Sequence, residues 1–288
     1  MIELLRGRQW VKNLFILFPV IFAGRFFVPD IRSRVLETVL VFCFAASAAY
    51  ILNDLCDLEF DKNHPQKSKR PLASGSIDHY WAWWAVAGLV TIALVLAHDV
   101  GSGVLGMTIL YVILNIAYNI WTKKIILLDV ISVALGFQIR IWAGSLAAGV
   151  WPSLWLQMCT LLLALFLGFT KRRCELFTLG SKRTRHRPVL AQYNDYLLDL
   201  IIAVCAVLAI TFYGLYTIET GSHKGHSTMI YSVIFVIYGI LRYLYLVYVK
   251  KISGDAAEIF FSDRSLAACV ILWAITVFLI VYGHKFYA

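Results

Sequence analysis

Charge is scarce in this chain of 288 residues: Asp, Glu, Lys and Arg together make up 15% of it, against about 25% in soluble domains. Hydrophobic residues reach 60% and mean hydropathy is +0.75. So few charges cannot solvate that much apolar surface in water. A soluble dinucleotide-binding enzyme and a disordered scaffold are thereby excluded. Cysteine is sparse as well. The six present (Cys43, Cys56, Cys159, Cys174, Cys205, Cys269) form no CxxC and no paired spacing. Most fall inside apolar runs, which excludes a disulfide-stapled secreted domain and leaves no zinc site. The seven histidines show no catalytic arrangement, and His64 reads as a solvated loop residue. No internal repeat is evident. The first apolar run lacks a small-residue cleavage pattern and more runs follow, so it is not read as a cleavable signal.

What is abundant is long apolar runs. A bilayer core of about 30 Å takes about 20 helical residues. Nine candidates meet that length, at 10–28, 35–56, 80–98, 102–121, 125–148, 152–171, 196–217, 228–249 and 265–284. They are too long and too unalternating for barrel strands. The expected fold is an all-α integral membrane bundle forming a single domain over 1–288. Its first span is the weakest, interrupted by Lys12 and Pro19 and closed early by Arg25.

The net charge of +9 follows the membrane rather than a nucleic acid. Nineteen of the 26 basic residues fall in one alternate set of connections, among them Arg6, Lys12, Lys67, Arg70, Lys123 and Lys171. Five, Arg25, Arg32, Arg34, Lys224 and Lys285, fall in the other set, and Arg140 and Arg242 lie within spans. The positive-inside rule then puts the N-terminus in the cytoplasm and the C-terminus outside. The run Lys182–Arg187 is assigned to the same anchoring.

Chemistry enters where the second run ends, in Ala48-Ala-Tyr-Ile-Leu-Asn-Asp-Leu-Cys-Asp-Leu-Glu-Phe-Asp-Lys62. Asp54, Asp57 and Asp61 stand at i, i+3 and i+7, so one continuous helix would stack them on a single face over about 10 Å. Like charges in a row repel unless a cation bridges them. Hard divalent ions, Mg²⁺ above all, are held by one or two carboxylates together with phosphate oxygens of a substrate. Lys67, Lys69 and Arg70 follow within ten residues of the stripe, then Pro71 and the turn Ser74-Gly75. Acids for a metal and bases for phosphate in one loop grip a diphosphate from both sides. Glu59 points off the stripe and is expected to be solvated.

Asn53-Asp54-x-x-Asp57-x-x-x-Asp61 followed by Arg70-Pro71-Leu-x-x-Gly75 resembles the first signature of the UbiA superfamily of membrane prenyltransferases. The resemblance is nearer to one branch, the decaprenyl-phosphate phosphoribosyltransferases. It is carried by Arg8-Gln-Trp-Val-Lys-Asn13, Asp61-x-x-His64-Pro-x-Lys67, Lys171-Arg172-x-x-Glu175-Leu, Leu241-Arg-Tyr243 and the stretch from Gly254 through Glu258 to Asp263-Arg264, in order from about 6 to 284. It implies a nine-helix fold and a Mg²⁺-diphosphate site at the cytoplasmic side. Asp54, Asp57 and Asp61 would hold the metal and act in catalysis.

The superfamily's second acid-rich motif is replaced here by Gly168-Phe-Thr-Lys171-Arg172-Arg173-Cys-Glu175. Bases in place of acids remove capacity for metal and add capacity for phosphate, which suits phosphoribosyl diphosphate with a polyprenyl phosphate. Lys171 and Glu175, at i and i+4, share a face and could pair; anchoring of the helix is the alternative for Lys171–Arg173. The expected substrate-binding set is Lys12, Asn13, Asn53, Lys67, Arg70, Tyr118, Lys123, Arg140, Lys171, Arg172 and Glu175. Lys123 or Lys124 resembles the family's phosphate-binding lysine, with anchoring as the alternative. Arg140 must face the bundle interior, to bind a phosphate or meet an acid from another helix, whereas Arg242 is expected to snorkel. The expected partners are therefore the two substrates and the membrane, not nucleic acid, and pairing as a homo-oligomer is left open. Two other readings stand beside this one: a prenyl transfer to an aromatic acceptor, disfavoured by the missing acids, and an ion-coupled transporter, disfavoured because the acids lie at one face.

Overall fold

The computed structural model describes residues 2–62, 67–179, 188–224, 227–252, 254 and 256–286. Among the described residues the chain is helical throughout, with no strand. Among the described residues, eight helical stretches are long and apolar enough to cross a membrane. They are labelled α1 (Pro29–Cys56), α2 (His79–Val100), α3 (Ser102–Ile120), α4 (Leu128–Ala148), α5 (Leu154–Leu179), α6 (Asp195–Lys224), α7 (Val233–Tyr248, which reaches that length only with the 3-10 stretch Ser227–Ser232 before it) and α8 (Arg264–Phe286). Large apolar side chains stand bare on them, such as Trp81, Ile113, Val207 and Leu279 at 56–67% exposure. In water such a surface would be an unsatisfied interface; in lipid it is the ordinary outer face.

The expected first span, 10–28, is a different object: a 3-10 run over Gly7–Leu17 continued by one short α-helix, Phe18–Phe22. The cause is legible in part. Lys12 and buried Asn13 are poor company for a lipid-facing α-helix, and the chain turns at Gly24, with φ +69, before Pro29 opens α1. The second run starts six residues earlier than hydropathy suggests, because Val28 is extended and Pro29 takes the first helical position, where its missing N–H costs nothing.

The chain falls into two compact units. The first comprises Met1–Val20, Arg25–Trp151 and Gly180–Tyr193 and so holds α1–α4. Small residues line much of the buried length of α1 and α4. Ala45, Ala46, Ser47 and Ala48 of α1 and Ala134, Ala143, Gly144, Ala147 and Ala148 of α4 are all buried. Small side chains let backbones approach, which is how helices associate where lipid supplies no hydrophobic drive. Gly144 carries this furthest: a Cβ there would collide with the carbonyl of Ile16. Asp78 caps α2 by accepting the Tyr80 amide at 2.9 Å, and Gly149, at φ +61, ends α4 in the left-handed conformation.

The second unit comprises Ile21–Gly24, Pro152–Leu179 and Asn194–Ala288 and holds α5–α8. Asn194 caps α6, accepting the Leu197 amide at 2.7 Å, and Asp263 does the same for α8 with Leu266 at 2.8 Å. Aromatic residues lock its centre: the Tyr213 hydroxyl meets Ser232 at 2.7 Å and accepts the Trp273 indole N–H at 2.8 Å. All six cysteines are free, in keeping with a chain that needs no disulfide.

Candidate active site

The three aspartates do sit at the mouth of α1, but not on one uninterrupted helix. The helix ends at Cys56; Asp57 adopts φ −100, ψ 7, and a new short helix, Leu58–Lys62, carries Asp61. The break re-aims Asp57. Asp54 and Asp61 still converge, because both accept from one atom, Arg70 Nη1, at 2.9 and 2.5 Å. Asp57 turns to Lys123, whose ammonium lies 2.6 Å from Oδ1, and accepts Asn53 Nδ2 at 3.0 Å on its other oxygen. That amide also donates to Asn119 Oδ1 at 2.8 Å, which ties α1 to the end of α3.

A further cation completes the cluster. Arg6 forms an ion pair with Asp54 and stacks 5.3 Å above the Tyr50 ring, the ring that Lys12 approaches at 6.0 Å. By sequence Arg6 counts only as a topological charge, and neither Tyr50 nor Asn119 stands among the expected site residues. Tyr50 lies four residues before Asp54, hence on the same helix face; nothing in the sequence connects Arg6 to an acid 48 positions away. An apolar floor aligns the three segments: buried Leu4, Ile51 and Leu72, close to Arg6, Asp54 and Arg70 along the chain, pack together with Ala82. Glu59 is exposed and pairs with Lys62, as expected of a solvated acid.

Lys123 is thus joined to an aspartate, beyond anchoring. Asn13 and Arg140 lie elsewhere in the first unit. Arg140, 4% exposed, donates to Asn13 Oδ1 at 2.8 Å, to the Gly136 carbonyl at 2.9 Å and to the Tyr111 hydroxyl at 2.9 Å. Among the described residues no carboxylate pairs with it. Tyr111 stands eight residues before Asn119, about 12 Å along α3, so Arg140 braces the interior at a level removed from the aspartates. Tyr118 is half-buried beside Asn119 in sequence. His64 and the side chain of Lys67 fall outside the described residues, as does Lys182–Arg187.

In the second unit, Arg172 is buried and forms an ion pair with Glu175 at 2.7 Å, so Glu175 finds a partner three residues back. Lys171 is half-buried one position earlier. Arg173 binds Asp199 at 2.8 Å and Asp195 at 3.3 Å, stapling α5 to α6. Arg242 does not merely snorkel: it holds both oxygens of Asp263, at 3.2 and 2.8 Å. That guanidinium keeps the Asp263 carboxyl below the usual carboxylate range.

Among the described residues no three Asp, Glu, His or Cys side chains stand as a ready-made metal cage. The donor chemistry of the first unit nevertheless fits Mg²⁺: hard carboxylate oxygens, two of them already drawn to one positive atom, Arg70 Nη1.

Apolar helices that outnumber what a soluble fold could hide, with a dense ionic cluster at a helix mouth, define a multi-pass α-helical membrane protein. The sequence matches the model of the UbiA prenyltransferase family over residues 13–261, and the chain belongs to that family. It is similar to the decaprenyl-phosphate phosphoribosyltransferase of Corynebacterium glutamicum, 28% identical over 98% of this chain and 86% of that protein. It is also similar to the protein of that name from Mycolicibacterium smegmatis, 29% identical over 98% and 92%. Among solved structures, a UbiA homologue from Archaeoglobus fulgidus bound to GPP and Mg²⁺ superposes with a TM-score of 0.73, at 17% identity, over 96% of this chain and 98% of that one.

Proposed function

We propose that this protein is a membrane phosphoribosyltransferase that moves 5-phosphoribose from phosphoribosyl diphosphate to a polyprenyl phosphate of the decaprenyl type, releasing diphosphate. One observation carries the reading: Asp54, Asp57 and Asp61 stand interlocked with Arg6, Arg70 and Lys123, side chains suited to a metal and to bare phosphate in one place. The curated relatives of that name, aligned over nearly the whole chain, supply the substrate pair.

Asp54, Asp57 and Asp61 would hold Mg²⁺, which when bound neutralises charge on the diphosphate as it leaves. Arg6, Arg70 and Lys123, with Lys12 and Asn53, bind and orient phosphate oxygens; guanidinium forks match such oxygens bidentately. A phosphate oxygen of the lipid attacks the anomeric carbon while the bond from that carbon to the diphosphate oxygen breaks, with inversion. No side chain need remove a proton, because the attacking oxygen is already ionised at neutral pH. Lys67, Tyr118, Lys171, Arg172 and Glu175 are proposed as further substrate-side residues, and Asn13 with Arg140 as the brace of the N-terminal segment.

The same reading assigns one functional domain over 1–288, a cytoplasmic N-terminus, a site at the cytoplasmic face of the cell membrane and a role in envelope sugar-lipid synthesis. Gly7–Leu17 and Phe18–Phe22 would supply the ninth crossing. Eleven 3-10 residues at about 2.0 Å and five α residues at about 1.5 Å reach about 30 Å, the thickness of the core.

The test is transfer of label from phosphoribosyl diphosphate into solvent-extractable lipid, with Mg²⁺ varied and polyprenyl phosphate supplied. Metal-dependent labelling that disappears in Asp57→Asn supports the assignment. Labelling only from a prenyl diphosphate onto an aromatic acceptor would replace it with the conventional family reaction.

A further inference from the structure

Lys123 reaches Asp57 from an awkward place. It sits in the single 3-10 turn Thr122–Lys124, between α3 and α4, and its side chain is 11% exposed. Four residues on, Leu127 adopts φ +68, ψ −43, and the Leu128 amide donates back to the Ile126 carbonyl at 2.8 Å. This is a γ-turn of the rare, strained hand, and leucine, unlike glycine, has no natural place there. Such a conformation persists only where its surroundings over-determine it.

The surroundings here centre on one hydroxyl. Tyr193 Oη accepts the Leu127 amide N–H at 2.8 Å and donates to Asp129 Oδ1 at 2.7 Å. Tyr193 is 2% exposed and Asp129 is fully buried. The turn Pro188–Ala191, just before Tyr193, packs against Thr122–Lys124. A second brace joins the hydroxyls of Ser132 and Thr122 at 2.8 Å. Every one of these groups belongs to the first unit. The route from Asp129 and Tyr193 to the ionic cluster therefore runs through the turn that presents Lys123.

We infer that Tyr193, seated on Asp129, is a positioning residue: it holds the strained Leu127 turn and thereby sets Lys123 against Asp57 and the diphosphate of phosphoribosyl diphosphate. The inference rests on the proposed transferase reading and adds to it a residue about seventy positions downstream of the lysine it serves. A buried tyrosine could instead serve stability alone, and that difference is measurable, because a stability role does not depend on Lys123.

The experiment is a double-variant cycle in the labelled-lipid assay on the full-length protein, with the thermal midpoint of each variant recorded. Tyr193→Phe is expected to raise KM for phosphoribosyl diphosphate about 10-fold with kcat within about 2-fold, and Lys123→Met to raise KM by at least as much. In the Lys123→Met background, Tyr193→Phe should add less than about 2-fold, since the two act as a unit. A folded Tyr193→Phe with wild-type KM overturns the inference, as does an increase undiminished in the Lys123→Met background. Should Tyr193→Phe not fold, Asp129→Asn decides, because its amide keeps the shape of the site but accepts from the Tyr193 hydroxyl more weakly than the carboxylate does. A KM raised a few-fold and non-additive with Lys123→Met supports the inference; an unchanged KM overturns it. Lys123→Met with wild-type KM removes the lysine's role and the inference with it, leaving transfer itself intact. Wild-type protein that transfers nothing from phosphoribosyl diphosphate is a different result: it removes the proposed function first.

Discussion

The two units of this chain use ionic groups in opposite ways. In the first, three aspartates from one helix mouth meet three cations from scattered stretches, Arg6, Arg70 and Lys123, at sequence separations of up to 66. In the second, the pairs are dispersed. Arg172 meets Glu175 within one turn, Arg173 joins α5 to α6, and Arg242 joins α7 to the start of α8. Convergence concentrates charge that a ligand can use; dispersal staples helices. Removing a charge should therefore cost chemistry at the aspartate cluster of the first unit and stability at the Arg173 and Arg242 staples of the second.

The sharpest contrast comes from Asp54→Asn or Asp57→Asn. Each is expected to lower kcat by at least about 10²-fold, the scale on which losing one preorganised electrostatic group acts, with a normal size-exclusion profile in detergent. Retained turnover in either would dissolve the distinction between the units. Arg6→Met follows, expected to raise KM for phosphoribosyl diphosphate about 10-fold; an unchanged KM would return Arg6 to a purely topological role.

Gly144→Leu tests how the first unit holds its N-terminal segment. The side chain would meet the Ile16 carbonyl, and overpacking of this kind costs about 1–3 kcal/mol, read as a lower thermal midpoint. On the other side, Arg173→Met should lose about 1 kcal/mol of stability while kcat and KM stay near wild type; a large kinetic defect would show that the second unit's staples are more than structural.

The smallest effect concerns pH. Arg242 depresses the Asp263 carboxyl, so the pair's contribution is complete above the ordinary aspartate value near 4 and fades only as pH falls through the lowered one. The stability difference between wild type and Arg242→Met should be flat from pH 7 to about 4 and shrink below that. A difference that shrinks between about pH 7 and 5 would contradict the depressed value.

What is legible in the sequence follows the same division. Hydropathy locates the eight crossing helices to within a few residues in most cases, because a bilayer imposes one length on all of them. It fails at 10–28, where the apolar composition is right but the backbone is a 3-10 run followed by one short α-helix, and where Gly144 of α4 closes on the Ile16 carbonyl, a contact that hydropathy does not register. The aspartates and Arg70 are readable as a spacing, whereas the break at Asp57 is not, since Leu55 to Asp61 carries no glycine or proline to announce it. Arg6 is invisible as a site residue because positive-inside charge already accounts for it. Arg140 falls in the interior as its charge demands, yet its neutral partners Asn13 and Tyr111 come from elements that only the fold brings together.

Everything proposed for the first unit depends on its aspartates holding a metal-bound diphosphate. Calorimetric titration of the purified protein with phosphoribosyl diphosphate, with and without Mg²⁺, tests this most directly. Saturable binding that requires Mg²⁺ and is lost in Asp57→Asn is the predicted result; equal affinity without the metal, or undiminished binding by Asp57→Asn, would contradict it.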